Sequence, residues 1–258
     1  MTRLWKRQRS CADITYDYKK DVGNYYGKPL VRPNAMAKAC GVCDYGDDIA
    51  LKMPAETLHV ALVMPRIANH AKILKIDYSE AEKMPGVVKV ITAKDVPGTN
   101  HLMMFQFSPR TTALEQVHKL IADEKIVNWG TVVALVVADT KDHAQEAAQK
   151  VKVEIEPLPE YMNYLDAVMP DAMRIHPNMD NIFAWQPVLK GDHERVPELI
   201  ENAPYVVEGS FYSSRQPHMS IEGDTVQAYY DEDGLLTVQC KAMTTYFDRD
   251  DIAQAVGL

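Results

Sequence analysis

The sequence predicts an α+β fold, and three patterns carry that prediction. Residues 57–92 read as strand, strand, short helix and strand. Residues 132–156 read as a buried strand, a helix and a half-exposed strand, and residues 225–256 as an antiparallel hairpin followed by a helix. Switches between period two and period three to four within short stretches are the signature of mixed structure.

In the first segment Leu58, Val60, Leu62 and Met64 alternate with His59, Ala61 and Val63, which predicts a strand apolar on both faces. Residues 73–77 form a second short strand. Ser79 is placed to cap a helix, Glu82 three residues on completes a capping box, and Met84-Pro85-Gly86 ends it. Residues 87–92 give a third strand. Residues 97–124 carry weak signals and read as a long loop.

The run at residues 132–138 is continuously apolar, as expected of a strand covered on both faces. Asp139 or Thr140 then caps a helix whose apolar stripe is Ala144, Ala147, Ala148 and Val151. Residues 151–156 alternate as a half-exposed strand. Beyond it Pro157, Pro159, Pro170, Pro177 and Pro187 break the chain into an extended connector.

Residues 205–213, 225–230 and 235–240 are strand-like. Asp231-Glu-Asp-Gly234 joins the last two, with Gly234 able to take positive φ. Residues 248–256 read as a helix closed by Gly257. Residues 1–30, polar and rich in aromatics, read as a linker or an arm lying on a partner. Three strands and a helix after Pro204 make a meagre core, so this part is expected to be half of something bigger.

With 258 residues there is room for one large or two modest domains. A net charge of −8 argues against nucleic acid and anionic membrane as partners, since phosphates would repel the chain. No apolar run approaches the roughly 20 residues of a spanning helix. The basic N-terminus, with Arg3, Lys6, Arg7 and Arg9, is not followed by an apolar stretch, so no signal peptide is expected and the default location is the cytoplasm.

Chemistry-bearing motifs are sparse. There is no Gly-x-Gly-x-x-Gly, phosphate-binding loop, His-Glu-x-x-His or Gly-x-Ser-x-Gly. Cys40 and Cys43 have a metal-like C-x-x-C spacing without a second pair, so small side chains in a turn stand as the reading beside a redox or metal role. Asp47 and Asp48 beside Gly46 suit a solvated turn or, less simply, a cation. None of the eight histidines has a partner at i+2, i+3 or i+4. Among them His218 draws interest. It sits in Arg215-Gln-Pro-His-Met219, where a cation, an amide and an imidazole share one loop between two strands.

Ordered stretches across residues 30–258 resemble the molybdenum-binding subunit of the xanthine dehydrogenase and aldehyde oxidase family. They run from Gly41-Val-Cys-Asp-Tyr-Gly-Asp-Asp48 and Leu58-His-Val-Ala-Leu62 through Ile76-Asp-Tyr-Ser-Glu-Ala81, Met84-Pro-Gly-Val87, Ile91-Thr-Ala-Lys-Asp-Val96 and Val133-Ala-Leu-Val-Val-Ala-Asp139. Leu158-Pro-Glu-Tyr161, Ile175-His-Pro177, Lys190-Gly-Asp192, Val207-Glu-Gly209 and Arg215-Gln-Pro-His218 continue the series. Arg32-Pro-Asn-Ala35 and Met53-Pro54 look most like the bacterial aldehyde oxidoreductases.

The resemblance implies a linker over residues 1–30, an α/β hammerhead domain over 31–160, an extended connector over 161–204, and over 205–258 the start of a first, incomplete mixed α+β molybdopterin-binding domain. It implies oxidation of aldehydes to carboxylic acids with water as oxygen source. The cofactor would be a molybdenum–molybdopterin cytosine dinucleotide, and electrons would leave through iron–sulfur clusters on domains this chain lacks. The partners implied are the remaining molybdenum-subunit polypeptide, the iron–sulfur domains and an aldehyde substrate, and a homodimer is allowed.

The family's glycine-rich pterin loop and general-base glutamate would lie beyond Leu258, so the resemblance transfers no catalytic residue and no metal ligand. One residue does transfer: Gln216, whose counterpart hydrogen-bonds an oxygen ligand of the molybdenum, a task that suits an amide donor without charge. Gly223 stands where relatives commonly have proline, which loosens the turn after it. A non-catalytic remnant or a protein-interaction module of the same fold is the alternative.

Overall fold

The computed structural model describes Arg32 and residues 34–102, 118–177, 180–182 and 187–258. The arm expected over residues 1–30 lies outside the described residues, as do residues 103–117 of the expected loop. In chain order the elements are α1 (Ala35–Ala39), α2 (Gly46–Ala50), β1 (His59–Val63), β2 (Ala71–Asp77), β3 (Val87–Ile91), β4 (His101–Leu102), β5 (His118–Lys119) and β6 (Lys125–Ile126). They continue with β7 (Ala134–Ala138), α3 (Lys141–Ala148), β8 (Lys152–Pro157), α4 (Tyr164–Ala167), α5 (Val196–Glu201), β9 (Val226–Tyr230), β10 (Leu236–Cys240) and α6 (Thr245–Val256).

The chain divides into two compact units. One is built from the described residues up to Thr57 together with Arg215–Met243, the other from the described residues of Leu58–Ser214 together with Thr244–Leu258. The hairpin β9–β10 and the helix α6, neighbours in sequence, therefore fall in different units.

The larger unit holds two three-stranded sheets, ordered β1-β7-β3 and β6-β2-β8, in which every pairing is antiparallel. The chain changes sheet from β2 to β3, through a 3-10 turn at Ala81–Lys83, and again from β7 to β8, through α3. Residues 78–86 form a shorter link than the ~12 residues a parallel crossover needs, so β3 cannot follow β2 as its parallel neighbour.

Strand β7 is central, and its Ala134, Val136 and Ala138 are fully buried, as its unbroken apolar run predicts. The core joins both sheets: Val133 and Val136 from one side meet Ala71, Ile73 and Ile126 from the other. Full burial of a valine or isoleucine contributes about 1.5–3 kcal/mol. Thr140 caps α3, its hydroxyl accepting the backbone N–H of His143 at 3.2 Å. The buried Ala144 and Ala147 let that helix lie close on β1 and β7.

Several local expectations need correction. Strand β1 is a sheet edge, and Val60 and Leu62 are exposed rather than covered. Ser79 caps no helix: its backbone N–H and hydroxyl both donate to Asp77 Oδ1, at 3.1 and 2.7 Å, and only a 3-10 turn comes after it. Residues 97–124 contain the short ladder β4–β5, and the connector after Pro157 contains α4 and α5. Residues 205–213 alternate like a strand but form none, because no neighbouring strand offers a ladder; Tyr205, Val207 and Phe211 stay almost wholly exposed.

Helix α6 ends on Gly257 with φ +78°. The backbone N–H groups of Gly98 and Thr99 donate to the carbonyls of Ala255 and Gln254, at 3.1 and 2.8 Å, and satisfy its last turn. A Cβ on Gly98 would come within 1.9 Å of the Gln254 carbonyl oxygen, so only glycine allows this approach.

Candidate cofactor-binding segment

The smaller unit presents the stretch singled out from sequence. Its frame is the hairpin, in which Leu236 pairs with Tyr230 and Cys240 with Val226. The turn is built by Asp231, whose Oδ1 accepts the backbone N–H groups of Asp233 and Leu235, and by Gly234 at φ +77°.

Residues 215–225 approach this hairpin without regular structure. Lys241, just past β10, fastens their far end. Its Nζ donates to the Glu222 carbonyl at 3.2 Å and pairs with the Asp224 carboxylate at 3.3 Å. Those two contacts flank Gly223, so a lysine clasp holds the turn at the position where a proline would have stiffened it.

Helix α2 supports the other side of the hairpin. Gln227, buried on β9, donates through Nε2 to the Gly46 carbonyl at 3.2 Å. A Cβ on Gly46 would stand 1.7 Å from Thr225 Oγ1, so the glycine is required by this close approach. Asp48 accepts the backbone N–H of Tyr45 at 3.0 Å and closes the first turn of the helix. The Gly46-Asp47-Asp48 run is thus a helix start.

Gln216 lies exposed within this segment, with Arg215 and His218 exposed beside it. Met219, one residue on, takes φ +45°, a left-handed conformation rare outside glycine. Sequence reasoning placed these residues on one loop, and they share one.

The other sequence candidates do not form a metal centre. Among the described residues no three His, Cys, Asp or Glu side chains are grouped to hold an ion. Cys40 follows α1 as its C-cap, Gly41 turns the chain at φ +68°, and Cys43 Sγ donates to its neighbour's carbonyl at 3.9 Å. His70 was indistinct in the sequence, yet it is buried in the larger unit with Nδ1 2.6 Å from the Pro159 carbonyl oxygen and no partner for Nε2. Burial pushes its pKa below the ordinary value, outweighing the bond to Pro159. The neutral ring thus donates from Nδ1 and ties the start of β2 to the residues after β8.

Comparison with known proteins places this geometry. Residues 40–159 match the profile "Aldehyde oxidase and xanthine dehydrogenase, a/b hammerhead domain", and residues 175–258 match "Molybdopterin cofactor-binding domain". The chain belongs to the aldehyde oxidase and xanthine dehydrogenase family. It is 42% identical to the aldehyde oxidoreductase of Megalodesulfovibrio gigas over 96% of this chain and 27% of that protein. It is 34% identical to a xanthine dehydrogenase of Oryza sativa subsp. japonica over 78% of this chain and 13% of the other.

The solved aldehyde oxidoreductase from Desulfovibrio gigas superposes with a TM-score of 0.81, covering 90% of this chain and 25% of that one. The chain thus spans about a quarter of the length of this aldehyde oxidoreductase relative. The fold is the family's α/β hammerhead followed by molybdopterin-binding sequence, and Gln216 falls within the second match.

Proposed function

We propose that this chain is the hammerhead-bearing part of a molybdenum hydroxylase that oxidises aldehydes to carboxylic acids. The observation that supports this reading best is that the cofactor-binding match spans the exposed Gln216 segment. When bound, a molybdenum–pterin group supplies the oxidising centre at which the substrate gains an oxygen atom from water.

The residues present fit such a group. In such an enzyme the pterin would hold the metal. What the protein adds is a donor. The Gln216 amide N–H offers a hydrogen bond to an oxygen at the metal without adding charge. Lys241 positions the segment by fastening Glu222 and Asp224. The hairpin and α2 give that clasp a rigid base.

The same reading divides the chain into a linker (1–30), a hammerhead domain (31–160), a connector (161–204) and the start of the cofactor domain (205–258). It takes the cofactor to be the cytosine dinucleotide form. It assigns iron–sulfur domains and further molybdenum-subunit polypeptide as partners, with the assembly in the cytoplasm and a homodimer allowed. No helix among the described residues is long and apolar enough to cross a membrane.

A second reading, a non-catalytic interaction module, draws on the exposed apolar Tyr205, Val207 and Phe211. Gln216→Ala in the molybdenum-loaded assembly tests the first. The hydroxylase reading expects aldehyde turnover to fall about 10–100-fold at unchanged molybdenum content. Unchanged turnover would remove Gln216 from the site.

A further inference from the structure

The larger unit contains a cavity of about 350 Å3 that the molybdenum reading does not use. Its walls come from residues 118–132 and 175–177. Leu120, Val127, Val132, Ile175 and Pro177 make much of the lining apolar. His118, His176 and Lys125 bring polar groups into the same space. A concave, mostly apolar site with a few convergent polar groups, of this size, is what a small organic ligand needs.

The charges on the lining decide the ligand's sign. Lys119 is satisfied by Asp123 and, at 3.9 Å, by Glu124. The Glu124 carboxylate itself is turned to solvent, its side chain 82% exposed. Lys125 is different. Its Nζ donates to the Ile175 carbonyl at 2.6 Å, and no carboxylate among the described residues lies within ion-pair distance. Two ammonium protons therefore remain to be used. Burial alone pushes its pKa down, with no acid pulling it back up. A half-buried cation without a counter-charge is an unfavourable arrangement that a bound anion relieves.

Burial lowers the pKa of His176, and the charges of His118, Lys125 and His70 lower it further, so His176 faces the cavity as a neutral ring. Thr131 is not available to a ligand: its hydroxyl donates to the Asn128 carbonyl and accepts the N–H groups of Val127 and Asn128.

We propose that this cavity binds a small organic carboxylate, its charged head on Lys125 Nζ and its apolar body against Leu120, Val127 and Val132. A phosphate would leave the apolar walls uncovered, and a neutral amide would leave the ammonium uncompensated. The site lies wholly within residues 118–177 and stands independently of the molybdenum reading.

Benzoate titrated into the full chain, followed by calorimetry and by backbone amide resonances, tests the proposal. Saturable binding is expected, with shifts confined to residues 118–132 and 175–177. Benzamide and the Lys125→Met variant should each bind about tenfold more weakly or worse, and Lys125→Arg within about threefold of the parent. Because Lys125→Met also loses the bond to Ile175, the comparison of benzoate with benzamide on the unaltered chain decides even if that variant unfolds. No saturation by benzoate, equal binding of benzamide, or inorganic phosphate binding as tightly as benzoate would each overturn it.

Discussion

The imidazole Nδ1 of His143 lies 2.6 Å from Oδ1 of Asp139, one helical turn back, and the pair closes over Gly86. Gly86 accepts the Asp139 backbone N–H at 2.9 Å and holds φ +77°. A Cβ there would stand 2.2 Å from the imidazole nitrogen and 2.3 Å from the carboxylate oxygen. Gly86→Ala must therefore strain the backbone and break the pair. A loss of about 2 kcal/mol is expected, read as a fall in Tm of roughly 4–8 °C. An unchanged Tm would contradict the packing described.

The same pair carries a pH signature. The bond to Asp139 holds His143 above its ordinary 6.5, and the bond to His143 holds Asp139 below its ordinary 3.8. The histidine's contribution is complete below 6.5 and is lost as pH rises through its higher folded value. The aspartate's is complete above 3.8 and is lost as pH falls through its lower folded value. The difference in Tm between the parent and His143→Gln should thus be largest near about pH 5, between the two ordinary values, and shrink as pH rises through the histidine's raised folded value. A difference that stays constant over that range would count against the pairing.

His70 makes the opposite kind of contribution. Burial holds its pKa below 6.5, so the unfolded chain takes up its proton first as pH falls. Stability linked to this residue is whole above 6.5 and is lost as pH falls through the folded value. His70→Asn keeps a donor for the Pro159 carbonyl but cannot be protonated. Its stability should decline less between about pH 6.5 and 5 than that of the parent, as followed by urea unfolding. His176, shifted in the same direction, leaves a residual slope in the variant.

In the smaller unit Gly46 and Thr225 are expected to be coupled. Gly46→Ala places a methyl group against the Thr225 side chain and should lower Tm. Thr225→Gly removes the obstructing atoms. The double variant should recover more than the sum of the single changes predicts, by about 0.5–3 kcal/mol in a double-mutant cycle. Strict additivity would mean that α2 does not rest on the hairpin.

Much of this architecture is legible in the residues, and the exceptions have physical reasons. The alternation at 151–156, the apolar run at 132–138 and the alanine stripe of α3 each bury what their periodicity says they should. Periodicity does not specify partners, so the division of strands between two sheets was hidden until pairing was seen. For the same reason residues 205–213 look like a strand and are none. The capping pattern at Ser79 failed because Asp77 competes for the same donors. The family motif points to Gln216, whereas Lys241 and Gly46 act through contacts from distant sequence. Lys125 and His176, 51 positions apart, meet only because the chain folds back.

The most direct test of the central proposal is the metal content of the protein, isolated from molybdate-grown cells together with whatever polypeptides accompany it. Elemental analysis should find close to one molybdenum per copy of this chain, and acid hydrolysis should release cytidine monophosphate in equal amount. An assembly that contains neither would contradict the assignment to a molybdenum hydroxylase.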